Sequence, residues 1–340
     1  MILSSRDRDV LEILIADYIA SAQPVGSSAI AKRHPAHLSP ATIRSIMSDL
    51  EERGYLAKPH TSAGRIPTEH ALRFYVDRML NVRDLDAHEQ ERIRAQYQGA
   101  EVNIEVLLRR TSKILSAISR YAGIVASPHA EQLAFKHIEF LPLSRRRLLG
   151  IFVAQNGMVQ NRIIECDEEF TYPELERINN YCNRVFLGLT LSEARDKARV
   201  ELADEQTRYD RMFMRAMLMS QQLLDEVPDG ELLIEGEEKL LGTPAFAHID
   251  ALKHVLDAID EKHRILELLD RSRENEGVKI FIGAESGFPI EGMSMVTAPY
   301  HHGGKIIGTL GVIGPTRMDY SRVIPIVDFT SKLISDLINA

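Results

Sequence analysis

Thr42, Arg44, Ser45 and Ser48 recur at helical spacing within residues 40–53, opposite an apolar stripe of Ile43, Ile46 or Met47, and Leu50. Small hydroxyls and one guanidinium on an outward helix face suit hydrogen bonding to base edges and flanking phosphates in a duplex groove. Ser39-Pro40 is a helix start signal: a capping hydroxyl, then a ring whose missing N–H falls where none is needed. A start of that kind leaves free backbone amides, where a phosphate is welcome. Lys32 and Arg33 close a short preceding helix, placed to flank the phosphates. Lys58, His60, Thr61, Ser62 and Arg65 cluster on a hairpin tip that Gly64 allows to be sharp. Of these, Arg65 is the expected contact to a narrow, electronegative minor groove or to the backbone.

No constellation for covalent chemistry competes with that reading. GxGxxG, Walker A and G-x-S-x-G patterns are absent from the sequence. His34 and His37 have ligand-like spacing but fall in an interhelical turn without an acidic or thiol partner, so a solvated surface is expected for both. His301 and His302, adjacent at a strand end, point to opposite faces, and His302-Gly303-Gly304 reads as a hairpin turn. Cys166 and Cys182 lack a CxxC arrangement and read as buried apolar side chains. Gly308, Gly311 and Gly314 suit close backbone packing in a strand.

The elements that position the polar face come in a telling order. Ser4 and Asp7 form a capping-box pattern before Leu11, Leu14, Ile15 and Tyr18, with Pro24 and Gly26 as the stop. Ser27 or Ser28 caps a short helix over 29–33, and the third helix spans 40–53 with Gly54 as its left-handed end. A strand at 55–58, the hairpin tip and a Thr68-capped helix to 80 complete a winged helix-turn-helix pattern, whose third helix would lie in the major groove. Beyond it, helix is expected over 84–120 with a break near Gly99, then strands at 135–141, 147–154 and 159–165 with an Asn156-Gly157 turn. Helices near 172–188, 191–200 and 204–226 follow. Strands at 232–235, 278–283, 294–299 and 305–313 lead to a closing helix over 322–338, with Ile326, Thr330, Leu333 and Leu337 on one stripe.

Length and charge set the frame. With 340 residues, two or three domains are expected, and 44% hydrophobic with 26% charged residues is globular composition. The net charge of −8 is unevenly spread: residues 1–80 hold ten Lys/Arg against nine Asp/Glu, and 31–78 hold eight against five. A mildly basic head on an acidic body is compatible with binding a polyanion, because the local field decides. No apolar run approaches the roughly 20 residues of a membrane span, and the charged start does not read as a signal peptide. Two cysteines give no disulfide framework, and a reducing, cytoplasmic location is expected.

Three N-terminal stretches carry a family resemblance: Gln23-Pro24-Val25-Gly26-Ser27, Leu38-Ser39-Pro40-Ala41-Thr42-Ile43-Arg44, and Lys58-Pro59-His60-Thr61-Ser62-Ala63-Gly64-Arg65-Ile66-Pro67. With Gly308-Thr309-Leu310-Gly311-Val312-Ile313-Gly314-Pro315-Thr316-Arg317-Met318-Asp319-Tyr320 near the other end, they closely resemble the HrcA family of heat-inducible transcription repressors. One departure is Ser45-Ile46, where the family more often has Asn and an acidic residue. The resemblance implies an α+β multidomain chain: a winged helix-turn-helix domain (1–80), a GAF-like α/β domain (81–130 and 227–340) and an inserted dimerisation domain (131–226). It also implies a homodimer that represses chaperone operons at an inverted-repeat double-stranded DNA operator, CIRCE. Chaperonin would help keep the repressor active until unfolded proteins occupy it during heat shock. No enzymatic activity, cofactor, metal or membrane attachment is expected. The alternative is a regulator of the same build whose GAF-like domain senses a small molecule.

Overall fold

The structure is a computed structural model and describes residues 3–59, 64–99, 104–128, 134–155, 158–203, 211–224, 231–241, 262–272, 276–283 and 292–339. Helix α1 (Ser5–Ser21) opens on a reciprocal capping box between Ser4 and Asp7 and buries Val10, Leu11, Leu14 and Ile15. It ends at Ala22, held left-handed (φ 55°), ahead of the Pro24 and Gly26 expected to stop it. Gly26, not Ser27 or Ser28, occupies the cap of α2 (Ser27–Arg33). Helix α3 (Pro40–Glu52) starts as its sequence predicts, with the Ser39 hydroxyl accepting from the Thr42 N–H at 3.1 Å. Strands β1 (Leu56–Ala57) and β2 (Ile66–Pro67) pair antiparallel, and Thr68 caps α4 (Glu69–Arg78). The polar tip at 60–63 lies outside the described residues, as does the Asn156-Gly157 turn.

Past α5 (Ala87–Ala95) and α6 (Ile104–Ser119) the chain enters a five-stranded antiparallel sheet. Its order is β7 (Leu232–Glu235), β3 (Ala122–Ala126), β10 (Lys305–Pro315), β9 (Met293–His302), β8 (Lys279–Ile282). Helices cover both faces. Val125, Val296, Ala298, Tyr300, Leu310 and Val312 belong to the core shared with α6 and α12 (Tyr320–Asn339). On the opposite face, Ile124, Met293, Met295 and Ile313 pack with Ile265, Leu268 and Leu269 of α11 (Lys262–Ser272). Neither β3, α11 nor the one-turn α10 (Glu238–Leu241) was expected from the sequence. The reason for β3 is physical: Ala-Gly-Ile-Val-Ala is buried on both sides, so it lacks the polar alternation of a half-exposed strand. On α12 the buried stripe is Ile326, Thr330 and Ile334, while the expected Leu337 is 38% exposed.

The glycine run on β10 does pack closely. A Cβ at Gly308 would overlap the Tyr300 ring, whose hydroxyl crosses β10 to donate to the Ala126 carbonyl of β3 at 2.8 Å. Gly303 and Gly304, both at positive φ, turn β9 into β10 as a hairpin.

A second core draws on residues 135–223. There β4 (Phe135–Ser144), β5 (Arg147–Ala154) and β6 (Val159–Glu165) form an antiparallel sheet, backed by α7 (Tyr172–Phe186), α8 (Leu191–Ala203) and α9 (Arg211–Leu224). Edge strand β4 is closed off by two asparagines of α7. Asn183 Oδ1 accepts from Ile138 N–H (2.9 Å) and its amide donates to Ile138 O (2.7 Å); Asn179 treats Phe140 the same way. An exposed edge is thereby satisfied without a further strand. No described helix is long and apolar enough to cross a membrane.

Candidate nucleic-acid interface

Helix α3 buries Ile43, Met47 and Leu50 against α1 and α2, with Ile46 half-buried. That orientation leaves Thr42, Arg44, Ser45 and Ser48 exposed along one face. Ser39 is also exposed, and its hydroxyl lies 2.9 Å from that of Thr42, so the two share one hydrogen bond at the helix start. Arg44 forms no ion pair among the described residues, and the same holds for Lys32 and Lys58. All three cations are exposed. Arg33 is exposed too, but its guanidinium is paired with Asp17 of α1. His60, Thr61 and Ser62 fall outside the described residues.

Arg65 departs from its expected place. Its side chain is 15% exposed and turns inward, with Nε donating to Glu51 Oε2 at 2.7 Å and Nη2 lying 2.6 Å from the same oxygen. Its backbone pairs with Val25 through Val25 N–H to Arg65 O (2.8 Å) and Arg65 N–H to Val25 O (2.9 Å). Arg65 therefore ties the hairpin to the end of α3 and to the α1–α2 loop. The sequence carried no mark of this: Val25 and Arg65 are forty positions apart. Arg65→Ala is thus expected to lower the melting temperature by a few degrees, since a half-buried, charge-assisted bond is lost. A double-mutant cycle with Glu51→Ala measures the coupling; additive losses would remove the pair's structural role.

The histidine pair also divides. His34 is buried at 2% exposure, its Nδ1 accepting from the Ala36 N–H at 3.2 Å, where a solvated ring was expected. His37 is exposed, with φ 49°. Among the described residues no group of three or more His, Cys, Asp or Glu could hold a metal ion. Cys182 is buried with Sγ 3.3 Å from Ser220 Oγ, and burial pushes its thiol up to about 11. Cys166 is only half-buried, in contrast to the expected burial, and desolvation raises its thiol as well.

The N-terminal helices are docked on the sheet. Arg73 of α4 donates to the Ile280 carbonyl of β8 at 2.7 Å while also holding Asp77. These helices and the sheet share one continuous apolar core.

Known proteins resemble this chain over nearly its full length. Residues 105–324 match the family described as HrcA protein C terminal domain. The chain is 48% identical over 338 residues to "Heat-inducible transcription repressor HrcA" of Geobacter sulfurreducens, covering 99% of this chain and 98% of that protein. It is 40% identical over 339 residues to the protein of the same name from Syntrophobacter fumaroxidans, covering 99% and 97%. A crystal structure described only as that of a hypothetical protein has the same fold, with TM-score 0.63, 22% identity and 99% of each chain covered.

Proposed function

This chain belongs to the HrcA family of heat-inducible transcription repressors, a family of regulators and not of enzymes, and we propose that it represses chaperone operons by clamping the inverted-repeat CIRCE operator as a cytoplasmic homodimer. The observation that carries this reading is the face of α3, where Thr42, Arg44, Ser45 and Ser48 stand exposed, with Lys32 and Lys58 exposed and without an ion pair among the described residues. We read 1–80 as a winged helix-turn-helix whose third helix enters the major groove with Ser39 at the phosphates, and β1–β2 as the base of the wing. His60, Thr61 and Ser62 belong to its tip, and Arg33 flanks the backbone. Arg65 holds the wing in place and does not itself enter the groove.

The remaining domains follow the same reading: a GAF-like domain from 81–130 and 227–340, and a dimerisation insert at 131–226. The outer face of the three-stranded sheet supports the insert's role. Leu141, Leu149 and Ile163 sit side by side across β4, β5 and β6, with Val153 opposite Val159 four residues further along. Leu141, Ile163 and Val159 are 37%, 46% and 54% exposed. An apolar row of that kind, left open, fits a self-complementary surface about a two-fold axis, which an inverted repeat demands. Chaperonin, as the modulator, would act on the free repressor.

Binding to a duplex carrying the inverted repeat, beside a scrambled duplex, tests the proposal across a salt series. Preference for the repeat of at least about a hundredfold is expected, at the lower part of the 10³–10⁷ range or just below it. Leu149→Asp with Ile163→Asp should give a monomer by analytical ultracentrifugation and abolish that preference. Equal binding to both duplexes, with and without chaperonin, would sink the operator reading; a variant that stays dimeric would move the dimer surface elsewhere.

A further inference from the structure

Away from the α3 face, α5, α6 and α12 line a half-open cavity of about 270 Å³. Its floor is apolar, formed by Leu85, Ile93, Ile114, Ile118 and Ile326. Its rim carries three guanidiniums, Arg92, Arg120 and Arg322, against a single carboxylate, Glu89. All three arginines are exposed, and none is in an ion pair among the described residues. Their neighbour Arg94, by contrast, is taken up by the Phe329 ring at 5.3 Å.

Two features separate this rim from ordinary solvated surface. Arg322 lies in the first turn of α12, a turn with no acidic residue, where the positive end of the helix dipole disfavours a cation. The nearby Asp319 carboxylate is engaged by the Ser321 hydroxyl at 2.5 Å and is not paired with it. Arg120 has φ 68°, a left-handed backbone that a non-glycine side chain rarely adopts, just past the end of α6. In a chain of net charge −8, three unpaired guanidiniums thus converge on one apolar hollow, at some electrostatic and conformational expense. An anion there would relieve both the mutual repulsion and the clash with the dipole.

We propose that this cavity binds a medium-chain carboxylate, with its head on Arg92, Arg120 and Arg322 and its tail on the isoleucine floor. Guanidinium matches carboxylate geometry in a two-pronged hydrogen bond. The apolar floor favours a tailed anion over a bare phosphate or a nucleic-acid backbone. At about 270 Å³ the volume falls just below the usual range of ligand pockets, about 300–1,000 Å³, and so suits a small amphiphile. The site rests on the cavity alone, independently of the operator reading.

Calorimetric titration of the full-length protein with decanoate, kept below its micelle concentration, tests the assignment. One saturable site per chain is expected, with decanol and acetate each binding at least tenfold more weakly. Arg92→Gln with Arg322→Gln should weaken decanoate at least tenfold while leaving the melting temperature of the free protein unchanged or slightly raised, since both side chains are exposed, form no ion pair among the described residues and repel one another. No saturable heat would overturn the proposal. So would equal binding of decanol or inorganic phosphate, or decanoate binding indifferent to the two substitutions. A failed operator assay leaves each of these outcomes readable.

Discussion

Gly64→Ala is expected to lower affinity for the inverted-repeat duplex by tenfold or more, while the melting temperature falls by only a few degrees. A Cβ at this position would overlap the Val25 carbonyl and come within 2.9 Å of the Pro24 carbonyl carbon. These are backbone atoms and cannot swing aside as a side-chain end would. Relief requires the hairpin to leave the α1–α2 loop, breaking both hydrogen bonds between Val25 and Arg65. At about 0.5–1.5 kcal/mol net for each bond, detachment shifts by roughly 1–3 kcal/mol. Val25 belongs to the same apolar core as α1, α3 and α4, so that core should loosen locally at Val25 and survive elsewhere. Lys58 would lose its fixed relation to α3, and that relation is what a wing contributes. Gly26→Ala is the control: it caps α2 at φ −92° with open space for a Cβ, so it moves no backbone and costs only about 0.5–1 kcal/mol of capping preference. Comparable loss of affinity in both variants, or none in Gly64→Ala, would detach the wing from the binding surface.

The contrast between glycines also shows what was legible in the sequence and what was not. Local signals carried well: Ser39-Pro40 starts α3, Gly54 follows its end at φ 78°, and Thr68 caps α4. The period of Ile43, Met47 and Leu50 was enough to turn Thr42, Arg44, Ser45 and Ser48 outward. Non-local pairing left no trace. Arg65 read as a free cation on a hairpin because its partners, Glu51 and Val25, are set by tertiary packing. His34 read as solvated because its burial depends on how α2 meets α3. Strand β3 was invisible because a strand covered on both faces shows neither alternation nor polar flanks, and here its side chains are small as well. The arginine cavity was hidden for a related reason: Arg92, Arg120 and Arg322 come from three separate helical segments, and only the fold brings them together.

Arg44→Ala is expected to reduce affinity for the inverted repeat by about ten- to a hundredfold and to relax discrimination against the scrambled duplex. A guanidinium on a base edge is worth about 1–3 kcal/mol of discrimination, and 1.4 kcal/mol is tenfold. Arg44 is exposed and without an ion pair among the described residues, so its removal strands no partner and should leave the melting temperature unchanged. Lys32→Ala provides the opposite signature. A lysine on a phosphate carries no base information, so binding to both duplexes should weaken alike, and the slope of log affinity against log salt should fall by about 0.9 for each phosphate no longer neutralised. The pair of measurements separates a reading residue from a positioning one. If Arg44→Ala weakens the repeat and the scrambled duplex equally and shifts the salt slope, Arg44 touches phosphate, and sequence recognition must come from Thr42, Ser45 and Ser48. If it changes neither affinity nor slope, the exposed face of α3 is not the reading face.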